Sequence, residues 1–456
     1  MRYHLLTLGC AKNTVDSMRL EQALRGARHQ AADTPEDADL LIVNTCGFID
    51  AAKEESVAVV RELQETRRAD QRLYVVGCMT EIARDELLTA VPGVDATFGV
   101  EAWDAIAADI GPASPTFDIP EVGTAASLLG GAPSAYLKIS DGCDRPCTFC
   151  IIPSIKGRMH SMEADRLIAE ARWHAATGTK ELVLVAQDST AYGEDEGAPD
   201  SLAGLLEQLS AAVPQVPWIR LMYAYPGRVT ERLAEAMARL PNVVPYLDMP
   251  LQHGSDEVLR RMKRPSLRLA RRSIELVRNA MPDITLRTTF IVGFPGETEA
   301  EFEELLGFVR EQRFDHIGAF TYSPQPGTPA AILEGQVPSA VKEERYGRLM
   351  ALAQEISLAA NRAQVGREVD VLIESREPTT ARGGGLVSVG RTMRDAPEVD
   401  GLALLKGSYP AGSLVRARVD GALHYDLMCS PLEVAPALEA APVRLERARR
   451  PRRRIR

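Results

Sequence analysis

The chain has 456 residues, of which 45% are hydrophobic and 25% charged, with a formal net charge of −10. This is the composition of an ordinary soluble globular protein with enough apolar mass for about three domain cores. It contains no apolar run of about 18 residues that could span a membrane and no secretory leader at its start, so the cytoplasm is the expected compartment.

The first segment alternates strand and helix. Strands are predicted over Tyr3–Cys10, Asp39–Cys46 and Arg72–Cys78, and helices over Thr14–Gly26, Asp50–Arg68 and Glu81–Val91. This period predicts a doubly wound parallel sheet over residues 1–111. Cys10, Cys46 and Cys78 each close one strand, in Leu-Gly-Cys, Asn-Thr-Cys and Val-Gly-Cys. The carboxyl ends of neighbouring strands in such a sheet form one rim, where ligands bind. Core cysteines would be scattered along the strands, whereas these three are terminal. They are expected to converge on an iron–sulfur cluster with one iron left without a protein ligand. Seven cysteines in all is an odd count, which argues against a disulfide framework and for metal or redox work.

Residues 112–133 are rich in proline and glycine and read as a linker. Residues 134–364 then repeat strand and helix about six times, with strands over Ala135–Ser140, Glu181–Ala186, Trp218–Ala224, Val243–Asp248, Ile284–Val292 and His316–Tyr322. Six such units predict an open, partial (β/α) barrel with its chemistry at the carboxyl rim. The first strand leads into Cys143-Asp144-Arg145-Pro146-Cys147-Thr148-Phe149-Cys150, a C-x3-C-x2-C turn. Three thiolates on one turn suit a soft metal centre. A structural zinc needs four ligands, and the nearest candidate is His160, so a zinc knuckle with a distant fourth ligand stands beside a 4Fe–4S cluster with one open iron. Rim sequences after later strands include Gln187 and Gly293. Thr298 and Glu301 form a capping-box pattern, and His253 taken alone reads as structural.

Residues 365–433 change to short alternating strands: Val369–Ile373, Gly385–Val389, Gly401–Leu405, Leu414–Val419 and Leu423–Leu427. Five strands in this space predict a small closed barrel, in which Cys429 has a structural place. Residues 434–456 end in an arginine-rich tail, expected to be disordered or to contact RNA phosphates.

C-x3-C-x2-C after a strand resembles the signature of radical S-adenosylmethionine enzymes. Together with three cysteines on an N-terminal sheet and a C-terminal TRAM-like β-module, it makes nearly the whole chain similar to the methylthiotransferases. The resemblance implies two 4Fe–4S clusters, one on Cys10, Cys46 and Cys78 and one on Cys143, Cys147 and Cys150, with S-adenosylmethionine on the second. It implies that the first carries sulfur to be methylated, while the second cleaves S-adenosylmethionine to the radical that opens a C–H bond. Phe149, Gln187, Arg287 and Gly293 are the expected cofactor contacts.

One branch of that family modifies an isopentenyl-adenosine in transfer RNA; the other modifies an aspartate β-carbon in small-subunit ribosomal protein S twelve. The stretches Gly9–Ser17, Val185–Gly193 and Gly390–Gly401 look like the ribosomal-protein branch. The transfer-RNA branch tends to have glutamine and methionine where Ala11 and Lys12 stand. The acidic run Asp395, Glu398 and Asp400 would suit a basic ribosomal protein. The implied partners are that protein, free or in the small subunit, an electron donor of flavodoxin or ferredoxin type, and ribosomal RNA through the tail. A transfer-RNA target is the alternative within the same chemistry, and a non-catalytic iron–sulfur or zinc scaffold is the alternative outside it.

Overall fold

The computed structural model describes residues 1–100, 102–110, 132–378 and 386–432; the predicted linker and basic tail lie outside the described residues. Three sheets organise the chain. The N-terminal sheet holds β1 (Arg2–Thr7), β2 (Gln30–Ala31), β3 (Leu40–Thr45), β4 (Arg72–Gly77) and β5 (Ala96–Phe98). All pairings are parallel, in the order β2-β1-β3-β4-β5. β3 is buried at every position and β4 at every position after Arg72, because helices cover both faces. Two strands exceed the prediction, the two-residue β2 and the three-residue β5, each too short to carry an alternating pattern. The third predicted helix is broken into Cys78–Ile82 and Arg84–Ala90.

The central sheet runs in sequential order, with a short ribbon of β7 (Ser140–Asp141) and β8 (His160–Ser161) inserted after its first strand. Its strands are β6 (Ser134–Lys138), β9 (Glu181–Val185), β10 (Trp218–Leu221), β11 (Val243–Asp248), β12 (Thr285–Val292) and β13 (His316–Thr321). All pairings are parallel, so the six units form the open partial barrel expected. The capping box at Thr298 and Glu301 is present and starts the helix Glu299–Gln312.

The C-terminal strands β14 (Glu368–Pro378), β15 (Leu386–Arg391), β16 (Ala403–Lys406), β17 (Leu414–Ala422) and β18 (Leu427–Pro431) close into a barrel. The predicted fifth strand is displaced. Leu423 donates to the Asp426 carbonyl in a turn, and Leu423 and Tyr425, which the apolar pattern placed in a strand, are exposed at its tip. Cys429 is fully buried in this barrel's core.

One apolar cluster joins all three bodies. It packs Val15 of the helix Ala11–Gly26 and Leu372 and Ala396 of the C-terminal module against Val183, Val185, Met222 and Tyr246 of the central barrel. Ion pairs reinforce the C-terminal side. Arg391 meets Glu181 at 2.5 Å beside Arg220 at 2.7 Å, and Asp400 holds Arg287 at 3.2 Å and the Tyr246 hydroxyl at 2.6 Å. Asp395 lies 3.6 Å from His316. The acidic run therefore does not present itself to a basic partner as its sequence suggested: Asp395 and Asp400 are spent on internal docking, and Glu398 alone of the three is exposed.

Candidate active site: two cysteine triads on one wall

The strand order β2-β1-β3-β4-β5 reverses direction between β1 and β3, and open α/β sheets bind ligands outside the carboxyl ends at such a point. Cys46 and Cys78 directly follow β3 and β4, and Cys10 lies three residues beyond β1. The ends are level, because Thr7 pairs with Asn44 and Thr45 with Gly77. Gly9 has φ +93°, and a Cβ there would stand 2.7 Å from the Cβ of Cys46 and 3.0 Å from its sulfur. Burial pushes the Cys78 thiol up to about 12; Lys156 pulls it down, and the neighbouring Cys46 and Cys10 push it further up.

Asn13, which reading the sequence passes over as a polar residue inside a helix, ties the three strand ends together. Its amide donates to the carbonyls of Leu8 (2.9 Å) and Thr45 (3.1 Å), and the Cys78 sulfur lies 3.6 Å from its Oδ1. An asparagine in the first turn of a helix, just beyond a strand-terminal cysteine, is the signal that could have found it.

The second triad rides the loop between β7 and β8, which the ribbon clasps shut through bonds such as Cys143 N–H to the Gly157 carbonyl (3.2 Å). Gly142 makes the turn at φ +74°, where a Cβ would collide with the Arg158 carbonyl. The far side is pinned when Thr148 donates to the carbonyls of Met262 (3.1 Å) and Arg261 (2.9 Å). Burial pushes the Cys150 thiol up to about 12, Cys147 and Cys143 add to the rise, and Arg264 opposes it. Arg264 stands 3.7 Å from the Cys147 sulfur.

All seven cysteines are free. Among the described residues, no three His, Cys, Asp or Glu side chains converge tightly enough for a single metal ion, and His160 is exposed on the ribbon. The donor chemistry suits a larger centre: clustered thiols, whose thiolate forms would repel one another, ionise when cationic iron supplies the missing charge, and Arg264 and Lys156 stand where anionic sulfur would be stabilised.

The triads share a wall. Cys78 packs on Ile151, directly after Cys150, and on Ile155 in the short helix that follows it. Beneath them, Lys138 binds Asp16 and Asp141 at 2.6 Å each, and Lys156 reaches Asp16 at 2.7 Å, joining the N-terminal helix to the barrel. A cavity of about 210 Å³ opens beside Cys10, between Tyr136, Val183, Val185 and Tyr223 of the barrel and Pro397–Val399 of the C-terminal module. Tyr223 and Glu398, which face it, hold left-handed φ of +63° and +69°, strain of the kind kept at functional sites.

The four expected cofactor contacts divide. Gln187 donates to Asp141 at 2.8 Å, and its own carbonyl oxygen is buried without a partner, which leaves an acceptor open near the second triad. Phe149 packs with Met262, Phe294 and Tyr322. Arg287 is held by Asp248 (2.9 Å) and Asp400 (3.2 Å). The Gly293 N–H donates to Glu297 (2.8 Å), which also lies 3.4 Å from His253 and is paired with Arg345; the buried His253 accepts from the Ser255 N–H through Nδ1 at 3.0 Å.

Comparison with known families matches residues 137–309 to the Radical SAM superfamily, residues 2–99 to Uncharacterized protein family UPF0004, and residues 365–431 to the TRAM domain. A radical S-adenosylmethionine methyltransferase, TsrM from Kitasatospora setae, shares the fold with a TM-score of 0.53 at 14% identity, over 84% of this chain and 81% of that one. Fold and site together define a radical S-adenosylmethionine enzyme with an additional cysteine-bearing domain and a TRAM module. The ribosomal protein uS12 methylthiotransferase RimO of Chloroflexus aurantiacus is 46% identical over 94% of this chain and 99% of its own length. That of Moorella thermoacetica is 45% identical over 92% and 96%. The chain belongs to the RimO family of radical SAM methylthiotransferases.

Proposed function

We propose that this chain methylthiolates the β-carbon of an aspartate in ribosomal protein uS12, with 4Fe–4S clusters on Cys10, Cys46 and Cys78 and on Cys143, Cys147 and Cys150. The observation that carries the reading is the shared wall: Cys78 packs against the residues that follow Cys150, and Cys10 borders a cavity reaching into the barrel. When bound, the clusters and S-adenosylmethionine supply the methylated sulfur and the radical that an unactivated C–H bond requires. The residues of the chain bind, orient and seal. Asn13 fixes the first triad, Arg264 and Thr148 fix the second, Gln187 offers an acceptor to the cofactor, and the C-terminal module closes the barrel against water. The electron comes from a flavodoxin- or ferredoxin-type donor, the work is done in the cytoplasm, and the basic tail contacts ribosomal RNA around the target.

A transfer-RNA target is disfavoured by the surface of the C-terminal module. Arg416 is paired with Glu368 (3.4 Å) and Asp370 (3.3 Å), and Lys406 (3.1 Å) and Arg418 (3.7 Å) share Asp420, which sets carboxylates beside these cations where phosphate would approach them.

Mass spectrometry of uS12 incubated anaerobically with the reconstituted enzyme tests the proposal. The expected result is one methylthio group in place of one hydrogen on a single aspartate. Iron should come to about eight per chain, and Cys46→Ala should lose about half of it while still releasing 5′-deoxyadenosine. Unmodified uS12 beside a modified transfer RNA would overturn the assignment.

A further inference from the structure

The cavity beside Cys10 is walled mainly by apolar and aromatic side chains, Glu398 being the one carboxylate on it. A substrate carboxylate entering such a place needs a cation, because an unpaired buried charge is costly. The cations around the barrel interior are nearly all taken. Arg220 and Arg391 are bound to Glu181, Arg287 to Asp248 and Asp400, and Lys138 and Lys156 to Asp16 and Asp141. Lys12 differs. It stands in the first turn of the helix that starts after Cys10, and its Nζ lies 3.6 Å from the centre of the Tyr223 ring, which itself lines the cavity. Among the described residues, no carboxylate oxygen is paired with that Nζ within 4 Å; Asp248 and Asp141 act on it only from farther away.

We infer that Lys12 is the receptor for the side-chain carboxylate of the substrate, holding it between the Tyr223 face and the sulfur-bearing end of the N-terminal sheet. The inference rests on the uS12-aspartate reading and deepens it. A carboxylate fixed by Lys12, itself two residues along the chain from Cys10, orients the adjacent β-carbon without any need to bind the rest of the side chain, which has no other polar atom. The ammonium meets it as a point charge, with the aromatic face as counter-wall. An amide substrate would forfeit the charge-assisted bond, so Lys12 also selects acid over amide.

The experiment uses the full-length reconstituted enzyme with two substrates: whole uS12, and uS12 carrying asparagine in place of the target aspartate. The wild-type enzyme is expected to prefer the aspartate form by about ten- to a hundredfold in kcat/KM. Lys12→Met should lose about that factor on the aspartate form, mainly through KM. Its preference between the two forms should collapse towards one, and its iron and sulfide content should match wild type. Lys12→Arg should recover part of the preference. A Lys12→Met enzyme that keeps the wild-type preference overturns the inference. So does one that loses iron from the N-terminal triad, since Lys12 would then serve to neutralise cluster charge. If the wild-type enzyme places the methylthio group elsewhere on uS12, the aspartate reading itself falls, a result visible before any variant is made.

Discussion

At Gly9 the chain turns out of β1 so that the next residue, Cys10, comes alongside Cys46. The φ of +93° and the 2.7 Å separation that a Cβ would have from the Cβ of Cys46 leave no room for a side chain. Gly9→Ala is expected to cost on the order of 1–3 kcal/mol in backbone strain and to push Cys46 out of line with Cys10. The check is paired: urea unfolding for the stability loss, and iron per chain, which should fall by about half while the Cys143–Cys150 site keeps its share. The cysteines themselves were legible in the sequence, because a strand-terminal cysteine repeated three times is a pattern. Asn13 was not, because its value lies in hydrogen bonds to Leu8, Thr45 and Cys78, contacts that exist only once three strands are side by side.

At the scale of elements, strands long enough to show an apolar run were legible, and those set by their neighbours were not. β3 and β9 are buried at every position and stand out in the sequence. β2 and β5 have two and three residues and exist because an edge was free to pair. β18 was misplaced because Leu423 and Tyr425 look like strand residues, while the turn closed by Leu423 and Asp426 takes the position. β9 also carries a charge that no periodicity reveals. Glu181 opens it fully buried, and although burial would raise its carboxyl, Arg220 and Arg391 hold it at about 2 against an ordinary 4.5. The folded state thus takes up that proton only at lower pH than the unfolded chain. The contribution, about 3 kcal/mol, is whole above about pH 4.5 and is lost as pH falls towards about 2. Glu181→Gln should abolish this part of the acid dependence and, by leaving Arg220 buried without its carboxylate and Arg391 with Glu374 alone, lower stability at neutral pH by about 3–5 kcal/mol. Denaturant unfolding of both proteins at about pH 7 and about pH 3, inside the window where the contribution is lost, reads both effects.

For the whole molecule, the question is what keeps three bodies around one cavity. Apolar packing alone would let the C-terminal module slide, since Leu372 and Ala396 offer little shape to grip. Register comes from charges: Asp400 accepts from Arg287, the Tyr246 hydroxyl and the Ala396 N–H, and lies 3.9 Å from His316. Its barrel partners come from three different strands, β11, β12 and β13, so one carboxylate fixes the module in both directions across the sheet and sets Pro397–Val399 over the cavity. The sequence motif around Asp400 was visible, but its charge was misassigned to an external partner, because a carboxylate's counter-ion cannot be read from its own neighbours in the chain. Asp400→Ala leaves Arg287 paired with Asp248 but deprives the Tyr246 hydroxyl and the Ala396 N–H of their acceptor, and should cost about 1–3 kcal/mol. The loss should appear as early release of residues 365–432 under limited proteolysis, while the parallel sheets of the first two bodies stay protected. Wild-type docking should resist added salt, because buried pairs are screened far less than exposed ones. Salt-induced release of the module from the wild-type chain would show that more exposed pairs such as Arg394–Asp315, not the buried Asp400 set, hold the three bodies together.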